Sequence, residues 1–182
     1  MEMTTDENEN ENEMPACICH QKTEYCQAYF GASSNYYLPV MIDFERGNKF
    51  SFNVWAFFCG MFWLLYRKLY IAVLLFVITA LLKSLIEKWA ISYWGLNGEI
   101  NNLIHLITTL ILGIIFGYTG NYFLMRKAQD QIAQVLAAET DEDLILDKLK
   151  KAGSGNTLGV TLVLVFVAVF YVYAAVHGKI WG

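Results

Sequence analysis

Cys17, Cys19, His20 and Cys26 bring three sulfurs and one imidazole together near the amino end. Thiolates and imidazole are the ligands a tetrahedral zinc ion prefers. The spacing C-x-C-H-x5-C is tight, however, and adjacent Cys19 and His20 converge poorly on one centre. No second knuckle follows. The competing reading is a flexible tail with free thiols. His105, His177 and Glu87 form a second group, set at the ends of apolar segments. A metal or proton site there competes with histidines satisfied where water is in reach. The third group is the pair Arg67 and Lys68, inside "FFCGMFWLLYRKLYIAVLLF". Two adjacent cations can hold an anionic lipid, at about 1 kcal/mol per basic residue near a membrane surface. They also serve simply as a topology anchor. No phosphate-binding loop, nucleophile elbow or H-E-x-x-H run is present. Carboxylate pairs are missing from the apolar stretches, and no basic patch with interleaved aromatics points to nucleic acid. The expectation is a protein without catalytic activity, cofactor or nucleic-acid partner.

The elements that would carry these residues are unusually apolar. Hydrophobic residues make up 56% of the 182 and charged residues only 16%, against roughly 25% charged in soluble domains. Six of the seventeen acids lie in the first thirteen residues, so the remainder is nearly neutral. Residues 1–16 are acidic, low in complexity and free of aromatics, the composition of a disordered tail. No signal-peptide pattern precedes the apolar segments, so a later one is expected to act as the anchor. The four cysteines are expected to be reduced if the tail is cytoplasmic. Residues 17–49 read as a short cytoplasmic lead-in, followed by a membrane domain over 50–182.

A span needs about twenty apolar residues to cross roughly 30 Å of hydrocarbon. Segments 67–86, 103–125 and 157–176 meet that requirement, the first with lysine and arginine snorkelling at its ends. Segment 50–66 is aromatic throughout, and Trp55, Trp63 and Tyr66 suit the headgroup boundary. With Arg67 and Lys68 at its end, it reads as an interfacial or re-entrant helix turning into the first span. The fold class expected is therefore an all-α integral membrane protein, with three transmembrane helices, an aromatic interfacial helix and a cytoplasmic helical arm. That arm is residues 126–153: it continues the third apolar helix and adds a short helix with Thr140 as N-cap, acids first, lysines last and Gly153 as its stop. From Arg46 onward, nine basic residues fall on the side of that arm and three opposite, which puts the amino end inside.

Gly113, Gly117 and Gly120 line one side of the middle span, and Ala174 and Gly178 repeat the small-residue spacing in the last. Such spacing lets helices approach closely, either within one chain or between copies. The partners to consider are thus the lipid bilayer, a second copy of the chain, and a protein docked on the arm. Two functions follow: a small accessory or regulatory membrane protein, or a homo-oligomeric effector or pore with Tyr171, Tyr173 and His177 facing a lumen.

The run "NVWAFFCGMFWLLYRKLY" resembles bacterial membrane proteins of domain-of-unknown-function family 2628. Their hallmark is Asn-Trp-Ala-Ala-Phe-Phe-x-Gly-Pro followed by Trp-Leu-Leu-Tyr-Arg-Lys-Met-Tyr. Asn53, Ala56, Phe57, Phe58, Gly60, Trp63, Leu64, Leu65, Tyr66, Arg67, Lys68 and Tyr70 match it. The stretch from Asn121 to Leu124 and "GSGNT" from Gly153 extend the likeness. Val54 and Trp55 stand where the family has Trp then Ala, and Met61 replaces its proline, which weakens the expectation of a sharp break in the aromatic segment. The resemblance implies a bacterial membrane protein of similar topology, expected in the cytoplasmic membrane. It implies no activity.

Overall fold

The computed structural model describes residues 23–95 and 98–177. The described residues are all-helical. Helix α1 (Thr23–Phe30) runs through a 3-10 turn (Gly31–Ser33) into α2 (Ser34–Glu45). Two short helices follow, α3 (Val54–Cys59) and α4 (Met61–Tyr66), then α5 (Tyr70–Trp94), α6 (Gly98–Ala138), α7 (Glu142–Gly153) and α8 (Thr157–His177).

Three helices are long and apolar enough to cross a membrane. They are α5, α6 and the apolar stretch that ends at Ala174, most of α8. Their side chains mostly face outward: Ala72 alone is buried along α5, and none of the most apolar part of α8 is buried. At 1.5 Å per residue the 41 residues of α6 run about 60 Å, twice the hydrocarbon thickness. One half of α6 presents exposed Leu103, Leu106, Ile107, Leu110 and Ile111. The other half buries Phe116, Gly120, Leu124, Ala128 and Ile132, spaced every four residues along one stripe.

That stripe is the spine of a helical headpiece. Tyr25, Tyr29 and Phe30 of α1, Tyr37, Met41 and Phe44 of α2, Trp63 and Leu64 of α4, and Ile145 and Leu149 of α7 close one core around it. Residues 17–49 read from the sequence as a short lead-in. From residue 23 they supply two helices and six of the buried core residues named above.

Segment 50–66 is not one helix. Gly60 adopts φ 44° and ψ −115°, a conformation accessible essentially to glycine, and separates α3 from α4. The break therefore persists without the family's proline. The first span also differs from 67–86: α5 starts at Tyr70 and continues to Trp94, where Trp89, Tyr93 and Trp94 are exposed. Beyond residue 125, α6 continues to Ala138, and the short helix α7 follows over Glu142–Gly153. Asp141 rather than Thr140 caps α7, accepting from the Asp143 amide at 3.1 Å.

Candidate functional site: the junction of headpiece and spans

The family-like run packs against α6 through a buried polar latch. Asn53 and Asn121 are both buried, and Asn53 Nδ2 donates to Asn121 Oδ1 at 2.7 Å. Asn53 also caps α3, its Oδ1 accepting from the Ala56 amide at 2.9 Å. Its own amide donates to the Gly117 carbonyl at 2.8 Å, a carbonyl inside a helix. Asn121 completes the set by donating to Ser51 Oγ at 2.8 Å. These bonds leave neither buried amide unsatisfied, which would otherwise cost about 1–3 kcal/mol.

The predicted glycine face explains how α3 comes so close. A Cβ on Gly117 would lie 2.5 Å from the Phe52 ring, and one on Gly120 would lie 2.7 Å from Ala56 Cβ. Gly113 faces Phe57 in the same way. All three glycines are covered by the chain's own aromatic segment. Ala174 is exposed on α8, and Gly178 lies outside the described residues.

Beyond the latch, α4 ends in a turn that several groups hold in place. Arg67 and Lys68 follow its last residue, Lys68 with φ 56°. Three carbonyls left open at this helix end find donors elsewhere. The Asn156 amide donates to Tyr66 O at 2.8 Å, and Lys127 Nζ donates to Arg67 O at 2.9 Å and Lys68 O at 3.2 Å. Burial pushes the Lys127 ammonium down to about 8, with Lys68 and Arg67 adding like-charge repulsion. The Arg67 guanidinium stacks over Tyr37, 4.6 Å from the ring centre.

Two concavities flank this turn. One, about 450 Å³, is an aromatic recess in which Tyr36, Tyr37, Trp55, Trp63 and Tyr66 surround Arg67. The other, about 510 Å³, lies between the start of α5 and the middle of α6. Lys68, Arg126, Lys127 and Asp130 line its polar end, and Leu69, Ile71, Ala72, Tyr122 and Phe123 its apolar side. Sequence reading found Arg67 and Lys68 but missed Arg126 and Lys127 as their neighbours, because only the packing of α4 on α5 and α6 brings them together. Among the interface residues, Trp55 is exposed at 66%. Trp63 is instead 7% exposed, with its ring against Gly120.

A separate polar cluster joins α5 and α6 farther along. Glu87 accepts from Lys83 at 3.0 Å and meets His105 Nδ1 at 3.1 Å, and Thr108 donates to it as well. His105 thus finds Glu87, as the sequence suggested. The side chain of His177, like Cys17, Cys19 and His20, lies outside the described set. Cys26 is buried and disulfide-bonded, not the reduced thiol expected, while Cys59 is free and exposed.

No curated protein and no solved structure matches the chain. The family model "Protein of unknown function (DUF2628)" matches residues 28–129. That range holds α2 to α5, most of α6, the asparagine latch and the basic turn, and the chain belongs to this family.

Proposed function

We propose that the chain is an accessory or regulatory protein of the bacterial cytoplasmic membrane, without catalytic activity. Its three spans anchor a cytoplasmic headpiece whose outer surface meets a protein partner. The observation that carries this reading is the closed headpiece core around the second half of α6. An anchored interaction module needs a rigid folded unit beside the membrane, and this unit has one. Helix α7 offers the contact surface: it buries Ile145 and Leu149 against the core and turns Glu142, Asp143, Asp147, Lys148 and Lys150 outward.

The pore reading drew on the glycines as contacts between subunits. In this structure the aromatic segment of the same chain occupies that face. The two readings separate in one experiment. The purified chain should scatter light as a monomer or dimer after correction for detergent, and should leave planar bilayers non-conducting. A discrete ring with unitary conductance would overturn the accessory reading.

A further inference from the structure

We propose that the groove between the start of α5 and the middle of α6 binds one anionic glycerophospholipid, with its phosphate held by Lys68, Arg126 and Lys127. The proposal rests on the membrane reading of α5 and α6. Three cations line the groove against one carboxylate, Asp130. Among the described residues none of the three is in a salt bridge, so the positive charge is not neutralised from within. Lys127 gives hydrogen bonds to two carbonyls and keeps a third donor. Lys68 is bonded to Ser154 Oγ at 3.2 Å, and Arg126 is exposed.

The apolar part of the groove decides the class of anion. A free phosphate gains nothing from apolar walls, whereas a lipid gains from burying its chains against them. Here the cations give way to Leu69, Ile71 and Phe123. Outward from the groove, α5 continues with Ile71 at 77% and Leu74 at 60% exposure, an apolar track for acyl chains. Charge at one end and hydrocarbon at the other is the polarity of a lipid at a membrane boundary. Basic pockets beside spans take anionic headgroups for this reason.

The test is a native mass spectrometric titration of the full chain in mild detergent. Phosphatidylglycerol is compared with phosphatidylcholine of identical acyl chains, with and without excess inorganic phosphate. Phosphatidylglycerol should bind about fivefold or more tightly, and Arg126→Gln should reduce that preference about fivefold, the worth of one cation near the surface. Lys68→Asn, which tolerates the left-handed turn, should act likewise, and Lys49→Gln, exposed and outside the groove, should change nothing. Equal affinity for the two lipids would overturn the proposal, as would a preference unaffected by both groove variants. Complete displacement by inorganic phosphate would overturn it too, marking a free-anion site. Retention in alkaline-washed membranes, measured on the same preparation, tests the membrane reading separately.

Discussion

Asn53 and Asn121 show how much of this architecture hangs on single side chains. One asparagine caps α3 and satisfies another asparagine 68 residues away on α6. Asn53→Ala removes the cap and strands Asn121, so it should cost about 2 kcal/mol by thermal unfolding in detergent. Asn53→Ala with Asn121→Ala should be non-additive by about 1 kcal/mol or more, and a strictly additive cycle would deny the latch. Charge at this scale also sets the pH profile. The Tyr29 hydroxyl donates to Gln131 at 2.6 Å, and burial pushes its pKa up to about 12, with Arg67 opposing. Unfolded tyrosine ionises near 10, so stability from this group is complete below 10 and is lost between 10 and 12. Lys127 works in the opposite sense. Its folded value of about 8 lies below the unfolded 10.5, so the folded state bears the cost of the charge below 8 and sheds it between 8 and 10.5. The melting temperature should therefore gain from Lys127 above pH 8 and fall beyond pH 10. Tyr29→Phe should flatten the fall and Lys127→Gln the rise, each read from melting curves across that range. The sequence showed these residues without their roles, because an isolated asparagine or lysine carries no sign of its distant partner.

Among the elements, α6 does two jobs with one uninterrupted helix. Its first half offers apolar side chains outward, and its second half supplies the stripe on which α2, α3 and α7 pack. The long apolar runs of α5, α6 and α8 were legible because hydropathy alone specifies a span. Helices α1 and α2 were not. Their tyrosines and phenylalanines alternate with polar residues, and their burial depends on surfaces that exist only once α6 and α7 are in place. The break at Gly60 was half legible: the missing proline suggested a weaker turn, whereas glycine alone provides it. Glycines on α6 were legible as a packing face, and the structure adds what packs there. Gly120→Leu would push a side chain into Ala56 and Trp63. It should destabilise the headpiece by about 1–3 kcal/mol while leaving the mass in detergent unchanged. A changed mass with an unchanged melting temperature would instead assign this face to contacts between copies.

Helices α1 to α4, the second half of α6 and α7 form one body, and the end of α5 at Trp94 and the start of α6 at Gly98 lie away from it, at the far end of the two candidate spans. If those spans cross a membrane, the two ends face different compartments. In the orientation proposed above the headpiece is cytoplasmic, which the bias of basic residues supports and the Cys26 disulfide opposes. Single cysteines placed in a cysteine-free chain and probed with an impermeant thiol reagent in intact cells test this most directly. Tyr93→Cys should label in intact cells, whereas Arg46→Cys and Lys148→Cys should label together, and only after the membrane is opened. Arg46→Cys and Lys148→Cys labelling from opposite sides would contradict the shared headpiece, and Tyr93→Cys labelling alongside them would contradict the spans.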